Sequence, residues 1–119
     1  MESNNVIRIE FERFSNASDL SKEDQSLLEA AERVLPQSYA PYSRFNVGAA
    51  LKLSNGEIIT GTNQENAAYP SGLCAERVAI FAAMHTHPKE RVEQIAIRAQ
   101  SGDFNVDHPI SPCGACRQV

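Results

Sequence analysis

Apolar residues recur along the chain with two different periods, which predict both strands and helices. Over residues 6–12, apolar and charged residues alternate, which predicts a strand with one buried face. Over residues 21–35, apolar residues recur at helical spacing behind Ser21, a favourable N-cap. Pro36 marks the end of this predicted helix.

The middle of the chain predicts a hairpin. Residues 45–53 alternate between apolar and smaller or polar side chains, and residues 57–62 return beside them. Between the two runs, Asn55-Gly56 is expected to supply the positive φ angles of a tight turn.

Two further elements complete the predicted fold. Residues 73–84 are apolar on nearly every side and rich in alanine, which favours a buried helix. Residues 95–99 predict a buried strand, so a strand-helix-strand crossover is expected. Ser111-Pro112 predicts a last helix, with a cap residue and a proline at the first helical position. The pattern therefore predicts an α/β fold, a mixed sheet with helices on its faces.

Composition narrows the class of protein. A chain of 119 residues, 42% hydrophobic and 22% charged, is typical of one globular domain. We therefore expect a single domain over residues 1–119, with residues 1–20 as an extra N-terminal strand and loop. No secretory signal or membrane span is recognisable, which indicates a cytoplasmic protein. A net charge of -4 argues against nucleic acid as the partner and leaves a small molecule.

Three cysteines, Cys74, Cys113 and Cys116, provide the first chemical signal. An odd count without a secretory signal argues against a disulfide framework and favours a metal or redox site. Cys74 and the later pair each stand at a predicted helix start, where backbone N–H groups favour thiolates. Three thiolates leave the fourth position of a tetrahedral zinc ion open, as catalytic sites require. Buried thiols or a redox pair are the alternative.

Glu76 follows Cys74 by two residues, close enough to act beside a metal without binding it. Water on zinc has a pKa of about 7, so a nearby carboxylate can take its proton and pass it on. Zinc deaminases use this arrangement, including a form with three cysteines. The alternative is an acidic residue that merely stabilises the first turn of a helix.

Four segments then form a set in a definite order: PYSRFNVGAA at 41–50, NQENAAYP at 63–70, CAER at 74–77 and SPCGACRQV at 111–119. In order and spacing they resemble the cytidine deaminases of the small, homotetrameric type, over residues 30–119. The resemblance implies a three-layer fold. It also implies zinc-dependent hydrolytic deamination of cytidine and 2'-deoxycytidine to the uridines and ammonia, a step of pyrimidine salvage.

The resemblance also implies roles for individual residues. Cys74, Cys113 and Cys116 would bind one Zn²⁺ per subunit, and Glu76 would carry protons between water, ring N3 and the departing ammonia. Arg77 would donate to the sulfur atoms and offset part of their negative charge.

The remaining implied residues would bind the nucleoside. Asn63 and Glu65 would hold ribose hydroxyls, the Ala75 backbone would meet the base carbonyl, and Phe45 would line the ring pocket. Purely structural roles are the alternatives. Asn63 and Glu65 would then be strand-end and turn residues, Phe45 would belong to the ordinary core, and Arg77 would be a solvated residue.

The chain departs from the family pattern at its C-terminus. Relatives continue for several dozen residues, so we expect the family's C-terminal helix and later strands to be missing and the last helix to span about one turn. Two other functions therefore compete: a catalytically silent, zinc-stabilised oligomer or binding module, and a deaminase of another aminated pyrimidine-like compound.

Overall fold

A three-stranded sheet forms the centre of the computed structural model, which describes residues 4–119. The elements are α1 (Lys22–Arg33), β1 (Phe45–Leu53), β2 (Ile58–Thr62), α2 (Ala75–Thr86), β3 (Val92–Ser101) and α3 (Gly114–Gln118). β1 is the middle strand and pairs antiparallel with both neighbours, so β2 and β3 run parallel to each other. The chain crosses between them through α2, which confirms the predicted strand-helix-strand crossover.

Two helices cover opposite faces of the sheet, as the alternation along β1 requires. Val47, Ala49, Leu51 and Leu53 point to one face and pack against the buried alanines of α2. Ala50 points to the other face and packs against α1. The structure is therefore the expected three-layer arrangement with helices on both faces.

Glycines let each helix approach the sheet closely. A Cβ atom at Gly48 would lie 2.1 Å from the Ala31 carbonyl oxygen of α1. A Cβ atom at Gly61 would lie 2.5 Å from the Ala79 nitrogen of α2. Any larger side chain at Gly61 would push the first turns of α2, and the site residues on them, away from β2.

The hairpin between β1 and β2 forms as predicted, with one correction at its turn. Gly56 has a φ of 87°, whereas Asn55 does not adopt a positive φ. The Asn55 side chain instead accepts a hydrogen bond from the Glu57 N–H at 3.0 Å. The turn therefore needs a single left-handed residue, and only the glycine supplies it.

The predicted strand over residues 6–12 is wrong. These residues form no strand and pair with no other segment in the described part of the chain, and Ile7 and Ile9 are 90% and 80% exposed. A two-residue alternation makes one face apolar, but a strand also needs a neighbour to satisfy its backbone groups.

Two smaller expectations also need correction. β3 is an edge strand with mixed burial rather than a buried one, because no other strand of the described chain pairs with its outer edge. The last helix begins after Cys113, which is its N-cap, and not at Ser111-Pro112. As expected, this helix is short, with five residues. Within residues 4–119, no helix has the length and apolar character needed to cross a membrane.

Candidate active site

The three thiols meet at the starts of two helices. Cys74 is the N-cap of α2, Cys113 is the N-cap of α3, and Cys116 lies one turn into α3. The Cys74 and Cys113 sulfurs are 3.8 Å apart, and those of Cys113 and Cys116 are 3.5 Å apart. This confirms that both cysteine segments lie at helix N-termini.

The donor set fits a tetrahedral zinc ion. Ligand sulfurs at about 2.3 Å from zinc lie about 3.8 Å from one another in tetrahedral geometry. All three sulfurs here lie within 4.8 Å of one another. They come from Cys74, which is half-buried, Cys113, which is exposed, and Cys116, which is buried. The cluster therefore supplies one face of a tetrahedron and leaves the fourth corner to another ligand.

Proton affinities differ sharply within the cluster. The Cys116 backbone N–H and the neighbouring thiols lower the pKa of Cys113 to about 7. Burial raises the pKa of Cys116 to about 12, and its thiol neighbours and the negative charge of Glu76 add to this effect. A cation is needed for all three sulfurs to be thiolates, so metal binding would release protons.

Glu76 occupies the first turn of α2, where the helix dipole favours a carboxylate. The residue is only 6% exposed, and no N–H or O–H group of residues 4–119 donates a hydrogen bond to its carboxylate. Its carboxylate oxygens are not among the buried side-chain atoms that lack a partner, so they keep some access to solvent or to a ligand. Its negative charge acts on Cys116, so Glu76 lies close to the thiol cluster.

Arg77 is the cation of the cluster. Its Nη2 atom lies 3.7 Å from the Cys74 sulfur, and this contact, followed by one to Cys116, raises the arginine pKa. The Arg77 Nε atom is buried without a partner. The guanidinium therefore lies against the sulfurs it would neutralise, which argues against the solvated alternative.

Asn63 and Glu65 lie past the end of β2, and the structure shows what their side chains contact. The Asn63 amide accepts from the Val47 N–H at 2.9 Å and donates to the Phe45 carbonyl at 2.8 Å. One Glu65 oxygen accepts from the Tyr42 and Ser43 N–H groups at 3.0 and 3.1 Å. Each side chain keeps only part of its hydrogen-bonding capacity for a ligand.

The Glu65 carboxyl has a lowered pKa. Burial acts to raise it, but the Ser43 hydroxyl and the backbone N–H groups of Ser43 and Tyr42 together outweigh that effect. Glu65 is therefore held as a carboxylate acceptor at neutral pH.

An open cavity of about 460 Å³ extends from these residues to Cys74, whereas Glu76 and the other two thiols are not among its lining residues. It brings together four of the predicted site residues: Asn63, Glu65, Cys74 and Arg77. Its volume suits a small molecule of nucleoside size. Its walls also include Tyr42, Ser43, Gln64, Asn66, Tyr69, Gly72 and Leu73.

Phe45 and Ala75 lie outside the walls of this cavity. Phe45 is half-buried against the core beneath α2, and its ring stacks on Phe104 with centroids 6.1 Å apart. Ala75 is fully buried in the first turn of α2. The ordinary-core alternative for Phe45 thus describes its observed packing.

Comparison with known proteins agrees with this geometry. A sequence profile described as "Cytidine and deoxycytidylate deaminase zinc-binding region" matches residues 21–119. The chain belongs to this family.

Individual relatives place the chain within the cytidine and deoxycytidylate deaminase family. It is 44% identical over 95 residues to a cytidine deaminase of Halalkalibacterium halodurans, covering 80% of this chain and 67% of the relative. A crystal structure of a Burkholderia pseudomallei cytidine deaminase matches with a TM-score of 0.70 and 39% identity, over 83% of this chain and 73% of that one. A blasticidin-S deaminase of Bacillus cereus is 33% identical over 85% of this chain and 73% of the relative. The chain thus spans about two thirds to three quarters of these relatives.

Zinc is the cofactor of this deaminase family, and the three-thiol cluster is suited to hold it. Sequence reasoning missed one residue of the site, Ser43, whose hydroxyl donates to the Glu65 carboxylate and accepts from the Phe45 N–H. Ser43 stands inside the segment at 41–50 that carried the family resemblance, but only the fold brings it against Glu65, 22 residues later.

Proposed function

We propose that this protein catalyses the hydrolytic deamination of cytidine and 2'-deoxycytidine, releasing uridine or 2'-deoxyuridine and ammonia. The observation that carries the proposal is the buried Glu76 residue, whose carboxylate receives no hydrogen bond from residues 4–119, beside three converging thiols. A purely structural zinc site has no use for such a carboxylate, so the silent binding module is the weaker alternative.

Cys74, Cys113 and Cys116 would hold the zinc ion. Bound there, zinc would activate a water molecule for attack on the ring carbon that carries the amine. Glu76 would take a first proton from the water and deliver it to ring N3. As the bond from the ring carbon to the amine breaks, Glu76 would take the second proton from the hydroxyl now on that carbon and deliver it to the amine nitrogen, which leaves as ammonia. Arg77 would offset part of the negative charge of the sulfur ligands through its guanidinium contact with Cys74.

The cavity beside the cluster would bind the nucleoside. Glu65 would accept a hydrogen bond from a ribose hydroxyl with its remaining lone pair, and Asn63 would use its remaining N–H. The Ala75 backbone would meet the base carbonyl group. Phe45 would support the base side of the pocket from the core. Because these polar groups need sugar hydroxyls as partners, a free base would be a poor substrate.

The test is the fall in ultraviolet absorbance when cytidine is mixed with the zinc-loaded 119-residue protein. Zinc-dependent conversion to uridine, with equimolar ammonia, is the expected result. A Cys116→Ser variant checked for zinc content is the control, because it should lose metal and turnover together. Stoichiometric zinc with no conversion would overturn the proposal and favour the silent module.

A second candidate, deamination of another aminated pyrimidine-like compound, is supported by the likeness to a blasticidin-S deaminase. The two functions differ in whether the substrate must offer ribose hydroxyls to Asn63 and Glu65. Replacing Asn63 or Glu65 should raise KM for cytidine and leave KM for a compound without ribose hydroxyls unchanged. An unchanged KM for cytidine would favour the second candidate.

We also propose that the protein acts in pyrimidine salvage as a cytoplasmic homotetramer. Three thiols gathered as ligands rather than as disulfides suit a reducing compartment. Tyr69, on the cavity wall, is 89% exposed, which suits a surface that another subunit covers. Light scattering of the zinc-loaded protein would test the assembly.

A further inference from the structure

Ser43 stands between two residues of the proposed nucleoside site. Its hydroxyl donates to one Glu65 oxygen and accepts from the Phe45 N–H at 3.1 Å. Its own N–H donates to the other Glu65 oxygen at 3.1 Å, beside the Tyr42 N–H at 3.0 Å. One serine therefore contacts both carboxylate oxygens of Glu65 and the first residue of β1.

The residue between Ser43 and Phe45 is under conformational strain. Arg44 has a φ of 55°, in the left-handed region that side chains other than glycine rarely adopt. Its carbonyl accepts from the Gly102 N–H at 3.1 Å, and its side chain pairs with Asp103 at 3.2 Å. Strain of this kind persists only where neighbouring contacts hold it, and it is concentrated at functional sites.

The backbone N–H and the carbonyl of Phe45 each make a hydrogen bond to a side chain of this region. Ser43 accepts from its N–H at 3.1 Å, and Asn63 donates to its carbonyl at 2.8 Å. The two residues that would bind ribose, Asn63 and Glu65, are thus joined through Ser43 and Phe45 into one hydrogen-bonded network. Ser43 is the member of this network to which the proposed function assigns no contact with the nucleoside.

We infer that Ser43 is a positioning residue, whose hydroxyl holds the Glu65 carboxylate and the start of β1 in the arrangement that binds the sugar. The inference rests on the proposed function, because its effect is on nucleoside binding. Without the hydroxyl, Glu65 would keep only its two backbone donors, and the Phe45 N–H would lose its acceptor. Both changes loosen the sugar site and leave the thiol cluster and Glu76 in place.

The experiment compares Ser43→Ala with Ser43→Thr in the zinc-loaded protein. Loss of a hydrogen bond to a carboxylate should raise KM for cytidine roughly tenfold, with kcat changed less than about threefold and zinc content unchanged. Threonine keeps the hydroxyl, and Ser43 is exposed, so the added methyl group can face solvent and KM should be restored. A KM for Ser43→Ala equal to that of the wild type would overturn the inference.

A double variant tests whether Ser43 acts through Glu65. In a Glu65→Gln background, adding Ser43→Ala should change KM less than about twofold, because the carboxylate it positions is already gone. Two independent, multiplying effects would contradict the inference.

Amide hydrogen exchange provides a readout that does not depend on turnover. Ser43→Ala should speed exchange of the Phe45 N–H roughly tenfold or more, while Leu51, fully buried in the same strand, stays protected. If the wild type binds zinc but does not deaminate cytidine, the proposed function fails. The exchange measurement still decides whether the Ser43 hydroxyl holds the Phe45 N–H at the start of β1. Faster Phe45 exchange then supports the Ser43 contact, and unchanged exchange overturns it.

Discussion

The two long helices, α1 and α2, both begin with an N-cap residue followed by at least one acidic residue in the first turn, but these residues make different contacts in the folded protein. α1 starts at Ser21, whose hydroxyl accepts from the Asp24 N–H at 3.1 Å. α2 starts at Cys74, whose sulfur caps nothing and instead lies 3.8 Å from Cys113. A cap of the first kind contributes about 1 kcal/mol to a helix. The start of α2 gives up this stabilisation and presents its N-cap side chain to the site.

The acidic residues of the two first turns differ in the same way. In α1, Glu23 pairs with Lys52, and Asp24 accepts from Gln94 at 3.1 Å. In α2, Glu76 is buried and receives no hydrogen bond from residues 4–119. The helix dipole favours a carboxylate at either place, so it does not explain the difference. What separates them is that the acidic residues of α1 pair with side chains of β1 and β3, whereas Glu76 of α2 has no such partner in residues 4–119 and lies close to the three-thiol cluster.

The largest expected effect comes from removing the charge of the α2 carboxylate. Glu76→Gln should lower turnover by about 10³-fold, because general acid-base catalysis is lost while the thiols remain. Zinc content should not change, because Glu76 is not one of the proposed ligands. Steady-state kinetics with metal analysis measures both. Asp24→Asn, the matching change in α1, should leave turnover unchanged; a similar loss there would break the comparison.

Exchanging the caps has the next largest effect. Cys74→Ser should weaken zinc binding by more than about 100-fold, the upper range for residues that only support ligands. The zinc-free variant should gain about 0.5–1 kcal/mol in free energy of unfolding by urea, because serine is a good N-cap. Ser21→Ala is the mirror change: it should cost about 1 kcal/mol and leave zinc binding intact. A Cys74→Ser variant that keeps zinc would contradict the proposed ligand set.

The glycines beneath the helices test whether packing supports the site. Gly61→Ala and Gly48→Ala should each cost about 1–3 kcal/mol, because both place a Cβ atom against helix backbone. Only Gly61→Ala should also lower turnover per folded, zinc-loaded molecule, since it displaces the start of α2. Urea unfolding and active-site-normalised kinetics separate the effects. Equal turnover losses in both variants would show that the packing of α2 on the sheet supports the site no more than the packing of α1 does.

The smallest effect is on acid stability. The pKa of Glu65 in the folded protein lies below its ordinary value of 4.5, so its stabilisation is present above that pH and is lost as the pH falls through the folded value. Glu65→Gln should therefore flatten the acid side of the stability profile, with melting temperatures differing by about 2 °C. Thermal unfolding of the zinc-free protein from neutral pH downward measures this. If the variant instead lost stability more steeply than the wild type as the pH falls, the pKa of Glu65 would not be lowered by folding.

The candidate site was predictable from the sequence to different degrees. The spacing of Cys74, Glu76 and the later cysteine pair, each beside a helix start, was enough to predict a zinc site with an adjacent proton carrier. The contacts of Glu65 were not predictable, because its partners, Tyr42 and Ser43, lie more than 20 residues earlier and meet it only across the fold. Whether Asn63 and Glu65 bind ribose stays a prediction.

The local pattern of the sequence determined those features whose causes lie within a few residues. The Ser21 cap, the alternation of β1 and the Gly56 turn are of this kind, because dihedral preference and side-chain periodicity decide them. Only the tertiary structure decided the rest: the strand expected over residues 6–12 lacks a partner, β3 lies at an edge, and three distant sulfurs and the Ser43 network come together. These depend on which segments meet in space, since backbone hydrogen bonds and buried charges require partners that no local pattern specifies.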